Sequence, residues 1–266
     1  MFEILEFGLC NKFFPGGIPQ LIIGFFAVFA AGYLLGSLDF GVIISKALYR
    51  GDVREHGSGS AGMTNVLRTY GKLPAALTVL GDGAKTAAAI MVGALVLGSH
   101  STGFYVHEGV TYSNIDALLR AVSQLYGENV PDQIPGVAAY AGYAGMYIGG
   151  LAAIVGHAFP VYYKFKGGKS VIATFVTVLF TAPLVALICL MFFATVVAVT
   201  KYVSLGSIMS VIVYPLVLYR SAGPGLFNLI AIFIMLFVVF LHRANILRLV
   251  NGKENKISFK KKGEKN

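Results

Sequence analysis

The sequence predicts an all-α polytopic membrane protein with about seven transmembrane helices, its N-terminus outside and its C-terminus in the cytoplasm. Three observations carry that prediction. Hydrophobic residues make up 56% of the 266 and charged ones only 12%, against roughly 25% charged in a soluble domain. Apolar runs of about 20 residues, the length that crosses a bilayer core, recur along the chain. The basic residues at their ends divide unequally between alternate loops, as topology in a membrane requires. A mean hydropathy of +0.74 agrees.

The first apolar run covers residues 18–49 and carries Asp39 and Lys46 in its second half. Ahead of it, Glu3 and Glu6 stand where a signal peptide needs basic residues, so no cleavable leader is expected. The second run, 73–98, holds Asp82 and Lys85 three residues apart and hence on one helical face. A charge at mid-membrane costs about 2.5–3.5 kcal/mol on insertion scales. Asp82 and Lys85, and likewise Asp39 and Lys46, are therefore expected to pair or to face water. Residues 99–135 are polar and aromatic, with one possible short helix at 115–126, and read as an external loop without catalytic chemistry.

A third run covers 136–163. Between Lys169 and Lys201 lie 31 uncharged residues, long for one span and short for two ordinary ones. Pro183 disfavours helical geometry at the residue before it, so two short helices meeting at Ala182–Pro183 are expected. The last runs are 202–219 and 225–241. Seven spans put residues 50–72, 164–169, Lys201 and the tail after Arg243 on the cytoplasmic side. Lys12, Arg120 and Arg220 remain outside, beside Glu108, Asp116, Glu128 and Asp132. Six spans would set Lys201 opposite Lys169 and reverse the bias.

One integral membrane domain over 1–250 is expected, followed by a basic cytoplasmic tail, 251–266. Its end, 260–265, reads as disordered, and near anionic lipid each lysine contributes about 1 kcal/mol of attraction. The net charge of +9 comes largely from that tail and from the ends of apolar runs. Nucleic acid is a poor partner, because no soluble element carries a basic stripe with interleaved aromatics. Cys10 and Cys189 are too far apart in sequence to suggest a disulfide framework or a metal site.

Two polar stretches interrupt this apolar chain. The first is Arg54-Glu-His-Gly-Ser-Gly-Ser-Ala-Gly-Met-Thr-Asn-Val-Leu-Arg68. Its glycines let backbone N–H groups converge, Ser58, Ser60, Thr64 and Asn65 add neutral groups, and Arg54 and Arg68 add fixed charge. That combination suits a phosphate. The second is Gly156-His-Ala-Phe-Pro-Val-Tyr-Tyr-Lys-Phe-Lys-Gly-Gly-Lys-Ser170. Gly167 and Gly168 at a helix start are expected to offer free N–H groups and the positive dipole end to an anion, beside Lys169. A Walker A loop is excluded, because its leading glycine would fall at Tyr163. Gly81-Asp-Gly-Ala-Lys-Thr86 lacks the adjacent Gly-Lys as well. Two later sites, Tyr202-Val-Ser-Leu-Gly-Ser207 and His242-Arg-Ala-Asn245, add hydroxyl, imidazole and amide groups at helix ends on the same predicted side. A phosphate-compound transporter and an enzyme-free scaffold remain open at this point. The transporter should show repeat symmetry, and the scaffold leaves these clusters unexplained.

In the order and spacing of these blocks the chain resembles the bacterial acyl-phosphate:glycerol-3-phosphate acyltransferases, the PlsY family. The resemblance covers most of the chain outside the N-terminus, the 99–135 loop and the tail. It implies a seven-helix plasma-membrane enzyme with its active site facing the cytoplasm. Such an enzyme moves a fatty acyl group from acyl phosphate to the 1-hydroxyl of sn-glycerol 3-phosphate, giving lysophosphatidate and phosphate. It implies catalytic roles for Ser58, Arg68, Lys169 and His242. The implied substrate-binding groups are Ser58, Ser60, Thr64, Asn65, Arg68, Gly167, Gly168, Lys169, Ser207, His242 and Asn245. No cofactor and no metal are implied. Membrane lipid and the enzyme that produces acyl phosphate are the implied partners. Ser60 stands where the family usually has asparagine, and Ser170 where it usually has glycine. The His-x4-Asp signature of other glycerolipid acyltransferases is absent, since none of the five histidines has aspartate five residues on.

Overall fold

A computed structural model describes residues 18–97, 104–107, 110–113 and 137–257. In chain order its helices are α1 (Ile18–Gly36), α2 (Phe40–Tyr49), α3 (Met63–Tyr70), α4 (Lys72–Leu97), α5 (Val137–Ala158), α6 (Val171–Thr181), α7 (Pro183–Thr200), α8 (Val203–Ala222), α9 (Leu226–Leu241) and α10 (Arg243–Val250). Two strands, β1 (Phe104–His107) and β2 (Val110–Ser113), pair antiparallel within the segment expected to be an external loop. The possible helix at 115–126, Cys10, Lys12, Arg120 and the basic end 260–265 lie outside the described residues.

Every apolar run read from the sequence is helical. Among the described residues, five helical segments are long and apolar enough to cross a membrane: Ile22–Tyr49, Lys72–Leu97, Ala144–Tyr163, Pro183–Thr200 and Val203–Ala222. The α9–α10 pair, bent by 59°, makes a sixth when taken as one span. The remaining run gives α6, whose 11 residues rise only about 16 Å at helical pitch, roughly half a hydrocarbon core. The break at Pro183 falls where expected, with Ala182 at φ −150° and ψ 73°, outside the helical region.

Contacts divide the chain into two compact units. In the first, residues 1–168 with 172–181, helices α1, α4 and α5 pack against one another. Their seam is lined by small residues. A Cβ on Gly93 would overlap the Gly145 carbonyl, one on Gly149 the Ala89 carbonyl, and one on Gly36 the Ala153 backbone. Lipid is as apolar as leucine, so helices in a bilayer gain from close backbone approach and dispersion rather than from escaping water. Large side chains point outward instead, Phe26 and Leu80 among them. In the second unit, residues 169–171 and 182–266, α8 lies against α7 and α9, and α10 contacts α8 and α9. Ser210 on α8 donates to the Cys189 carbonyl on α7 at 2.8 Å.

The first run is two helices rather than one. Residues 37–39 interrupt it, and Asp39 precedes α2 in extended conformation. This break corrects the expected pairing of Asp39 with Lys46. Asp39 is fully buried and joins Asp82 and His157, whereas Lys46 pairs with Asp52 at 3.8 Å. Asp39 is the N-cap of α2 and extended rather than helical, so its side chain is not bound to the helical register that Lys46 follows.

Candidate active site

The first polar stretch forms a loop from Asp52 to Gly62 that leads into α3. Val53, Ala61 and Val66 bury against Val42 of α2 and Ala75 of α4, which fixes the loop to the first unit. The loop's shape is set by one side chain. Asn65 is 2% exposed, and its Nδ2 faces the carbonyls of Val53, His56 and Ser60 at 3.0, 2.9 and 2.9 Å. Its Oδ1 accepts from the Ser58 N–H at 2.9 Å. Gly57 has φ +58°, and a Cβ there would collide with Asn65 Oδ1, so this position requires glycine twice over. Asn65 thus has its amide engaged inside the loop. Ser58 and Arg68 are exposed, and Thr64 is half-buried in the first turn of α3. Ser60 Oγ accepts from the Gly62 N–H at 3.3 Å. Among the described residues the Arg68 guanidinium forms no hydrogen bond or ion pair, so its charge is presented outward.

Arg54, expected beside Arg68 as phosphate-facing charge, is engaged elsewhere. Its Nε and Nη2 donate to the two Asp52 carboxylate oxygens at 2.9 and 2.7 Å. Its Nη1 donates to the carbonyls of Tyr163 and Lys166 at 3.1 and 2.9 Å, and its guanidinium lies 5.5 Å from the Tyr163 ring centre. Arg54 therefore clamps the first polar stretch to the second, and both sit at one end of the first unit. The second stretch doubles back through Lys164 and Phe165, at φ +56° and +59°. It then reaches Gly167 and Gly168. The Gly168 N–H, expected to be free for an anion, instead donates to the His157 carbonyl at 3.0 Å.

Behind these loops is a buried polar cluster. The Lys85 ammonium contacts Asp82 Oδ1 at 2.8 Å, as the sequence spacing implied. It also donates to the Leu38 carbonyl at 2.6 Å and lies 2.9 Å from His157 Nδ1. Donor atoms of Asp39, Asp82 and His157 lie within 4.8 Å of one another, a spacing that could suit a metal ion. Lys85 already supplies the cation of that group.

In the second unit, Lys169 is half-buried, and it lies close enough to His242 for its charge to act on the ring. His242 is 2% exposed at the bend between α9 and α10. Its Nδ1 is 2.8 Å from the Val238 carbonyl, which can only accept, so Nδ1 carries the proton. In the neutral ring that leaves Nε2 with its lone pair. Asn245 donates its backbone N–H to the His242 carbonyl at 2.8 Å. Its side-chain Nδ2 donates to Glu254 at 3.0 Å, and Glu254 in turn accepts from Arg248 at 2.8 Å. Ser207 is buried one turn into α8 and donates to the Val203 carbonyl at 3.0 Å.

The first unit thus gathers Ser58, Ser60, Thr64, Asn65, Arg68, Gly167 and Gly168. The second gathers Lys169, Ser207, His242 and Asn245. Sequence reasoning assigned no role to Glu254, and gave none to His157 despite its place inside the second stretch. A lone glutamate in a basic tail segment carries no periodic signal. The histidine's signal was present: a titratable residue in a glycine-rich polar block at the end of an apolar run.

Residues 26–252 match the family description "Glycerol-3-phosphate acyltransferase". A glycerol-3-phosphate acyltransferase of Clostridioides difficile (strain 630) is 34% identical over 241 residues, covering 90% of this chain and 98% of that protein. Among solved structures, the crystal structure of PlsY (YgiH), an integral membrane glycerol 3-phosphate acyltransferase in its glycerol 3-phosphate form, matches with a TM-score of 0.67. It is 28% identical and covers 88% of this chain and 96% of that one. The lysophosphatidic acid form of PlsY matches with a TM-score of 0.62 at 28% identity, covering 88% and 95%.

Proposed function

The chain belongs to the glycerol-3-phosphate acyltransferase family, and on that premise we propose that acyl phosphate is its donor and lysophosphatidate its product. The enzyme moves the acyl group to the 1-hydroxyl of sn-glycerol 3-phosphate and releases inorganic phosphate. The observation that carries this reading beyond the family is the Arg54 clamp, which holds both glycine- and cation-rich loops at one end of the first unit.

Both substrates are phosphate anions, so bringing them together requires fixed cations. Each unit supplies one: Arg68 in the first, with Ser58, Ser60 and Thr64 as neutral hydroxyl partners, and Lys169 in the second, with Ser207. Asn65 and Asn245 hold their loop and helix bend in place. The hydroxyl oxygen attacks the acyl carbonyl carbon and the carbon–oxygen bond to phosphate breaks. Phosphate leaves with that electron pair, so no protein nucleophile is needed. The hydroxyl proton passes to His242 Nε2, whose lone pair the Nδ1–Val238 bond keeps available. Positioning of this kind supplies several kcal/mol of the barrier. The excess of basic residues on 50–72 and 164–169 supports a cytoplasm-facing site in the plasma membrane. The enzyme that makes acyl phosphate is then its partner.

Purified protein given acyl phosphate and glycerol 3-phosphate should release phosphate and lysophosphatidate in equal amounts, with acyl-CoA inactive in place of acyl phosphate. Turnover with acyl-CoA alone would overturn the donor assignment. Arg68→Ala and Lys169→Ala should each abolish transfer while leaving the melting temperature unchanged.

A further inference from the structure

His157 is 4% exposed in the last turn of α5. The edges of its ring have different neighbours. At Nδ1 stands the Lys85 ammonium, 2.9 Å away, with Asp82 Oδ1 at 3.6 Å. An ammonium only donates, so Nδ1 accepts and the proton of the neutral ring sits on Nε2. At the Nε2 edge stands Gly168. A Cβ on Gly168 would collide first with His157 Nε2, then with Cε1 and Cδ2. Gly168 is not among the residues at positive φ, so its backbone shape does not itself demand glycine. The obstacle to any larger residue is the imidazole. Gly167 differs: a Cβ there would meet the His157 backbone carbonyl and the Pro160 ring.

We propose that His157 is a positioning residue, wedged between the Lys85 ammonium and the Gly168 backbone, whose ring sets the path of the glycine pair leading into Lys169. Three anchors fix it. Lys85 is itself held by Asp82 and by the Leu38 carbonyl, and the His157 carbonyl accepts the Gly168 N–H at 3.0 Å. Ring and main chain of one residue therefore grip the same glycine from two directions. The buried charges of α4 thereby fix the loop that carries the glycine pair. This role rests on the acyl-transfer reading of the loop.

The test is a double-mutant cycle that exploits the two ring edges. His157→Asn keeps an oxygen near the Nδ1 position for Lys85 and removes the Nε2 edge. His157→Gln keeps a group reaching toward Gly168 and loses the Nδ1 acceptor. Gly168→Ala in the unmodified protein should lower kcat/KM by about tenfold or more, seen as a raised KM for at least one phosphate substrate at equal amounts of folded enzyme. In the His157→Asn background the same change should lower it by less than about threefold. In the His157→Gln background the full loss should persist. Gly167→Ala should be equally harmful in all three backgrounds, since its obstacles are Pro160 and a main-chain carbonyl. Equal losses for Gly168→Ala with and without the ring, in an active enzyme, would overturn the role of His157 alone. Absence of acyl transfer by the unmodified protein would overturn the functional reading, and this role with it.

Discussion

Asn65 allows the sharpest separation of a residue that shapes the site from one that binds within it. Replacing it with alanine removes the amide that faces three carbonyls and receives the Ser58 N–H. The amide has two N–H hydrogens for three carbonyls, so it makes about three full bonds with its oxygen included. At a net value of about 1 kcal/mol each the loss is about 3 kcal/mol, with no further penalty at the buried Val53 carbonyl, which still accepts the His56 N–H. A tenfold change in an equilibrium corresponds to about 1.36 kcal/mol. The ordered form of the loop should therefore fall by roughly two powers of ten relative to the open one, as local opening rather than global unfolding. Acyl transfer should become undetectable, and limited proteolysis should cut between His56 and Gly62 in Asn65→Ala but not in the unmodified protein. Asn65→Asp should behave as badly, because it keeps the acceptor for Ser58 but turns a charged oxygen toward three carbonyls. If Asn65→Ala turns over within about threefold of the unmodified enzyme, the reasoning that this amide organises the loop is wrong.

Three further outcomes follow from the same geometry. Lys85→Met leaves Asp82 buried without its cation, and breaking a buried pair costs about 3–5 kcal/mol; thermal unfolding in detergent should show a large drop, partly recovered by adding Asp82→Asn. The Arg54 guanidinium hydrogen-bonded to Asp52 holds that carboxyl below the usual carboxylate range. A depressed native value means stability that is full above the ordinary carboxylate pKa and lost as pH falls through the native one. Melting temperature should thus be level from neutral pH to about 5 and fall below about 4, and Asp52→Asn should remove that acid limb. Gly93→Ala places a methyl group against the Gly145 carbonyl, and overpacking of this kind costs about 1–3 kcal/mol; a melting temperature equal to the unmodified protein's would refute the seam.

Much of the scaffold was legible because lipid imposes a simple rule: backbone polar groups must be satisfied within each segment, so apolar runs become helices. Pro183 announced its break in the same local way. Asp82 and Lys85 could be paired from spacing alone, since three residues along a helix is a contact distance. The Asp39 neighbourhood could not be read, because its partners sit on α4 and α5 and its own extended backbone at the N-cap takes it out of the helical register of Lys46. Arg54 was visible as a cation, but its partners at Tyr163 and Lys166 are main-chain carbonyls, which leave no trace in residue identity. For the same reason the capture of the Gly168 N–H by the His157 carbonyl was hidden. Asn65 was recognised as part of the loop, while the direction of its amide depends on backbone turns that only coordinates reveal.

The glycine seam between α1, α4 and α5 also decides where this sequence is free to drift. Outward-facing leucines and phenylalanines have few partners within the protein and can be exchanged for one another with little consequence. Where main chain meets main chain there is no side chain left to trade, and a methyl group added on one helix finds no atom opposite that could be trimmed to receive it. Stabilising changes should therefore be sought on the outer faces and at helix ends, with Gly93, Gly145 and Gly149 held constant.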